Sequence, residues 1–97
     1  MMILITYDVM TGDKEGQRRL RKIAKYLENF GQRVQNSVFE LSVTPAQYTM
    51  IRNAIENIIC AEEDSVMIYH LGKNWTRRVE RLGKDETYNP DKGLLIL

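Results

Sequence analysis

Asp8 is the residue whose type and place could do chemistry. It follows an apolar run from Met1 to Thr6 and then Tyr7, rich in β-branched and aromatic residues, which reads as a buried strand emptying into a polar loop. Such strand ends are where open sheets display functional groups. A carboxylate there suits Mg²⁺, which accepts one or two carboxylates, keeps several waters and lets phosphate oxygens complete its octahedron. A single Asp is a thin site, and Asp is also a common turn residue. Two copies of the chain, related by a two-fold axis near the ends of this strand, would present a pair of carboxylates and tie the chemistry to dimerisation. Other catalytic sets are missing: the chain has no Cys-x-x-Cys, no His pair, no glycine-rich phosphate loop and no Gly-x-Ser-x-Gly. His70, inside a predicted strand, reads as a strand residue, and Cys60, at the end of a helical stripe, as packing.

Phosphate chemistry is also suggested by the distribution of charge. The whole chain carries a formal net charge of only +1. Between Lys14 and Arg33, however, lie Lys14, Arg18, Arg19, Arg21, Lys22, Lys25 and Arg33 against only Glu15 and Glu28. A second basic run holds Lys73, Arg77, Arg78, Arg81 and Lys84 against Glu80, while Glu56, Glu62, Glu63 and Asp64 collect negative charge elsewhere. A solvated helix face would explain one such run. Two on so small a domain make a continuous field suited to a phosphate backbone, whose counterions are released on binding.

The elements that must position these residues follow from periodicity. Thr11, Gly12 and Asp13 break the first strand's pattern; Leu20, Ile23, Ala24, Leu27 and Phe30 then recur at helical spacing, with Gly31 closing the helix. Arg18, Arg21, Lys22 and Lys25 share the opposite face of that helix. Arg33 to Val43 is too long for one strand, and its alternation breaks between Val34 and Phe39, so a turn or bulge near Asn36 and Ser37 predicts two strands. Thr44, Pro45 and Gln47 form a helix start with a capping box. Tyr48, Ile51, Ile55, Ile58 and Ile59 supply that helix's core stripe, and Val66, Ile68 and Leu71 a further strand.

The order β, α, β, β, α, β is the α+β, ferredoxin-like arrangement. At 97 residues the chain is one domain, 1–97, and area scaling buries about two-thirds of the open chain's surface without staples. Residues 77–97 remain over as a C-terminal dimerisation segment, with a short strand at Val79 to Leu82 and a terminal Leu94-Leu95-Ile96-Leu97 run. That run would most naturally add a strand to an exposed sheet edge, docked on or exchanged with a second copy. A lone cysteine, no leader pattern and no membrane span point to the cytoplasm and to no membrane partner. Tyr7 and Tyr69 invite comparison with RNA-recognition modules of the same topology, but the expected aromatic signature is missing.

Taken together, the residues resemble the small CRISPR-associated endonuclease family, the subunit that works with the CRISPR integrase in spacer acquisition. The likeness runs through Ile5-Thr6-Tyr7-Asp8-Val9, through Gln17-Arg18-Arg19-Leu20-Arg21-Lys22-Ile23-Ala24, and through Asp64 to Gly72 and Gly93 to Leu97. Its most specific stretch is Phe30 to Glu40, where Phe30 stands in place of the family's Tyr. The resemblance implies a ferredoxin-like homodimer with Asp8 as catalytic and metal-binding aspartate, Mg²⁺ as cofactor and Mn²⁺ able to substitute. It implies cleavage of single-stranded RNA or double-stranded DNA, or a non-catalytic scaffold role in which the dimer bridges integrase subunits on DNA. Tyr7, Arg18, Arg19, Arg21, Lys22, Arg33, Ser37 and Phe39 match positions in or near the family's site motifs; Lys14, Arg77 and Arg78 join them as nucleic-acid contacts through the basic runs. A small-molecule-sensing module, a third use of this fold, would need a ligand pocket at the dimer seam.

Overall fold

The computed structural model describes residues 1–74. The chain runs β1 (Met2–Asp8), α1 (Lys14–Leu27), β2 (Gly31–Gln35), β3 (Val38–Ser42), α2 (Pro45–Ile58) and β4 (Ser65–His70). The four strands form one antiparallel sheet in the order β2-β3-β1-β4, the ferredoxin-like arrangement the element order predicts. The predicted strand at 79–82, the terminal 94–97 run, the dimerisation segment 77–97 and the basic residues Arg77 and Arg78 lie outside the described residues.

Alternation along β1 sorts the sheet into two faces. Ile3, Ile5 and Tyr7 are buried, and the register sets Ile3 opposite Leu41 and Ile5 opposite Phe39, so these side chains share the face covered by the helices. Ile23 and Leu27 of α1 and Ile51 and Ile55 of α2 close the core over them. Each fully buried large apolar side chain contributes roughly 1.5–3 kcal/mol relative to exposure. The other face carries Leu4, Thr6 and Asp8 of β1 opposite Tyr69, Met67 and Ser65 of β4. Met67 and Tyr69 are among the exposed large hydrophobic residues, 53% and 45% accessible, because neither helix covers that side.

Local chemistry explains the boundaries. Asp13 caps α1 by accepting from the Gly16 N–H at 2.8 Å. Thr44 and Gln47 complete the predicted capping box of α2 with reciprocal bonds of 3.1 and 2.9 Å. Between β2 and β3 the structure uses both repairs anticipated for the broken alternation: a turn at Asn36–Ser37 and a register shift between Arg33 and Gln35. Tyr7 and Asp8 end the first strand as the sequence suggests, paired with Val66 and Ser65 of β4. One boundary departs from expectation. Gly31 opens β2 and does not cap α1, which ends at Leu27; a Cβ at Gly31 would collide with the Glu40 carbonyl across the strand pair. Among the described residues no helix is long and apolar enough to cross a membrane.

Candidate metal and nucleic-acid site

Asp8 is the last residue of β1, exposed, on the sheet face the helices leave uncovered. Its pairing with Ser65 fixes its backbone at the edge of the ladder while the carboxylate stays in solvent. Among the described residues no cluster of three or more His, Cys, Asp or Glu side chains forms a ready-made metal cage. A lone solvent-exposed carboxylate such as Asp8 is a ligand type that a hard cation accepts together with waters and phosphate oxygens.

Tyr7 points the other way. It is 5% exposed, stacked on Phe39 with ring centroids 6.2 Å apart, and its hydroxyl donates to the Asn36 carbonyl at 3.4 Å. Burial pushes the Tyr7 phenol pKa up, Arg33 pulls it back and Glu28 adds to the rise. The Arg33 guanidinium lies over the Phe39 ring, 5.4 Å from its centroid, and reaches Glu28 at 3.7 Å. Phe39 itself is fully buried, beneath the Arg33 guanidinium. Tyr7, Arg21, Arg33 and Ser37, with the apolar Leu20 and Ala24, line one cleft of about 350 Å³ between α1 and the β2–β3 turn.

The basic stripe divides in two. Lys14, Arg18, Arg21 and Lys22 are exposed along α1. Among the described residues Arg18 makes a solvent-exposed pair with Glu15 at 3.3 Å, worth little in water. Arg19 is different: its side chain is 17% exposed and its guanidinium forks onto Asp64, Nε to Oδ2 at 2.8 Å and Nη2 to Oδ1 at 3.3 Å, with Nη2 also on Glu63 at 3.2 Å. These contacts tie Arg19 of α1 to the loop before β4, whereas Lys14, Arg18, Arg21 and Lys22 stand in solvent. The Asp64 and Glu63 bonds raise its already high pKa.

Residues 1–79 match the family described as CRISPR associated protein Cas2. The chain belongs to the Cas2 family. It is 44% identical over 96 residues to the CRISPR-associated endoribonuclease Cas2 of Nitratidesulfovibrio vulgaris, covering 99% of this chain and 94% of that one. It is 49% identical over 96 residues to the CRISPR-associated endonuclease Cas2 of Halalkalibacterium halodurans, covering 99% and 100%. The crystal structure of Streptococcus pyogenes Cas2 at pH 6.5 superposes with a TM-score of 0.78 at 55% identity, over 86% of this chain and all of that one. A chain from a partial Cas6-RT-Cas1–Cas2 complex superposes with a TM-score of 0.68 at 29% identity, over 92% and 93%. The resemblance read from the sequence thus names the right family, and the ferredoxin-like fold agrees with Cas2 structures.

One functional-looking residue of this Cas2 chain escapes the sequence reading. Asp64 counts there as part of an acidic cluster and as the start of a family-like stretch, with no role of its own, yet its side chain is fully buried and accepts from Arg19, from the Cys60 N–H at 2.8 Å and from the Met10 N–H at 3.1 Å. Burial raises its pKa, but the bonds from Arg19, Cys60 and Met10 outweigh burial and hold the carboxyl below the usual value. The signal that could have found it lies on α1. Arg19 stands three residues after the buried Gly16 and four before the buried Ile23, on the inward edge of the helix, where a cation needs a partner.

Proposed function

We propose that this chain is the metal-dependent endonuclease subunit of CRISPR spacer acquisition, a cytoplasmic homodimer that cuts phosphodiester bonds in RNA or double-stranded DNA alongside the CRISPR integrase. The observation that carries this reading is Asp8: an exposed carboxylate held by the end of a central strand on the face away from the helices, at the end of the sheet where the Asn36–Ser37 turn and the start of α1 also lie. One chain offers a cation one carboxylate, and a second copy packed face to face would offer another, so the residues fit Mg²⁺ or Mn²⁺. When bound, the cation would supply Lewis-acid charge to the scissile phosphate. Lys14, Arg18, Arg21 and Lys22 bind the backbone of the nucleic acid, and Arg33, braced on Phe39, adds positive charge beside the cleft. The relatives named endoribonuclease and endonuclease support cleavage, and the superposed chain from a complex with Cas1 supports an integrase partner.

A scaffold reading is favoured by the exposed basic face of α1, which would hold duplex DNA across the dimer with no chemistry at all. Asp8→Asn separates the two. Loss of cleavage of RNA and duplex DNA in Mg²⁺ or Mn²⁺, with affinity for duplex and integrase retained, is expected; wild-type protein that never cleaves with either metal leaves the scaffold.

A further inference from the structure

Asp8 is followed by a short loop, and the backbone of that loop is gripped on both sides of one residue. The Met10 N–H donates to Asp64 Oδ1 at 3.1 Å. The Met10 carbonyl is pressed against α1 so closely that a Cβ at Gly16 would collide with it. Val9, between Asp8 and Met10, is buried at 7% exposure. Asp64 is itself fixed from three directions: by the fork of Arg19 on α1, by the Cys60 N–H in the α2–β4 loop, and by its place immediately before Ser65, the ladder partner of Asp8. Four N–H donors on one buried carboxylate leave it no freedom to turn.

We infer that Asp64 is a positioning residue for the Asp8 site: with Arg19 and Gly16 it clamps Met10 and so sets the direction in which the Asp8 carboxylate leaves the sheet. The inference rests on the proposed metal role of Asp8. Groups that orient a ligand without touching the metal commonly change its affinity by about 10–100-fold when lost. A merely structural Asp64 would lower stability and leave the properties of Asp8 in the folded protein unchanged.

Three variants test this in the full chain. Asp64→Asn keeps shape but replaces one acceptor oxygen with a donor, so a donor among Met10 N–H, Cys60 N–H and Arg19 loses its partner. Gly16→Ala moves the Met10 carbonyl while leaving the Asp64–Arg19 fork in place, which covers the case in which Asp64→Asn folds poorly. Arg19→Lys retains the charge with a single bond and should fall between wild type and Asp64→Asn. Amide exchange measured by NMR should accelerate at Met10 by about tenfold or more in Asp64→Asn, with Ile5 and Ile23 unchanged. Titration with Mn²⁺ alone, followed by paramagnetic broadening at the Asp8 amide, should give an affinity weaker by about tenfold in both Asp64→Asn and Gly16→Ala. Wild-type Mn²⁺ affinity in both folded variants, with affinity lost in Asp8→Asn, overturns the positioning role. Wild-type Mn²⁺ affinity in Asp8→Asn instead overturns the metal reading of Asp8; the clamp then stands or falls on whether Met10 exchange and the Asp8 amide shift change in Asp64→Asn.

Discussion

Tyr7 and Asp8 are consecutive residues on opposite faces of one sheet: the Tyr7 ring stacks on Phe39 in the core, and the Asp8 carboxylate stands in solvent on the side away from the helices. Neighbours in the sequence therefore belong to different parts of the molecule. Changes at the two positions should fail in different ways. Tyr7→Ala empties a core position and should cost about 3 kcal/mol, lowering Tm by more than about 10 °C. Asp8→Asn should leave Tm within a few degrees and reduce phosphodiester cleavage on the order of a hundredfold or more. Calorimetry and gel-based cleavage on the same preparations check both, and an Asp8→Asn protein cleaving at the wild-type rate refutes the second.

The exposed cations of α1 lead to a salt prediction. Each phosphate neutralised on duplex DNA adds about 0.9 to the magnitude of the log-log slope of affinity against salt. About five contacts predict a slope near −4 to −5 for wild type. Arg21→Ala and Lys22→Ala should each flatten it by about one, with affinity falling alike for unrelated sequences. Arg19→Ala should destabilise the fold and change the slope less, because its guanidinium is already taken by Asp64 and Glu63. Equal slope changes at Arg19 and Arg21 would place both on the phosphates.

Most of the architecture was legible because it is written in local pattern. Ile3 and Ile5 alternate, Leu20, Ile23, Ala24 and Leu27 recur at helical spacing, and Thr44-Pro45-Ala46-Gln47 spells a helix start; each signal needs only near neighbours. Asp8 was legible as a strand-end carboxylate for the same reason. What local pattern could not carry was long-range partnership. Arg19 and Asp64 are 45 positions apart, and nothing around either residue says that one charge will bury the other. Phe39 entered the site through the family resemblance, and its register with Ile5 shows that it faces the helices, a cross-strand fact with no local mark. Gly31 looked like a helix cap because close approach to a neighbouring strand leaves no local mark.

The buried Asp64 carboxylate gives a pH dependence with a definite sign. Burial raises its pKa, but the bonds from Arg19, Cys60 and Met10 outweigh burial and set it below the ordinary value. The unfolded chain therefore takes up this proton at a higher pH than the folded one. The stabilisation is complete above about pH 4 and is lost as pH falls through the folded value. Asp64→Asn should be less stable than wild type by roughly 3 kcal/mol at pH 7, and the gap should close as urea unfolding is repeated below about pH 4. A gap that stays constant down to pH 2.5 would mean that the charge of Asp64 does not contribute.

In the proposed homodimer, the sheet face away from the helices would tie oligomeric state to activity. Met67 and Tyr69, large and exposed, stand on β4 opposite Thr6 and Leu4, along the same face as Asp8. Apolar side chains gathered on one open side of a sheet suit packing against another sheet. A two-fold partner laid on this face would bring a second Asp8 toward the first, which a cation needing more than one carboxylate requires. Met67→Lys places a charge in that contact without touching Asp8 or the helix-side core. The expected result is a monomer by light scattering at micromolar concentration, with a thermal midpoint that no longer depends on protein concentration. Cleavage should fall together with the dimer and return as protein concentration is raised. A Met67→Lys monomer that cleaves at the wild-type rate per chain would show that one Asp8 suffices, and the paired-carboxylate arrangement would have to be abandoned.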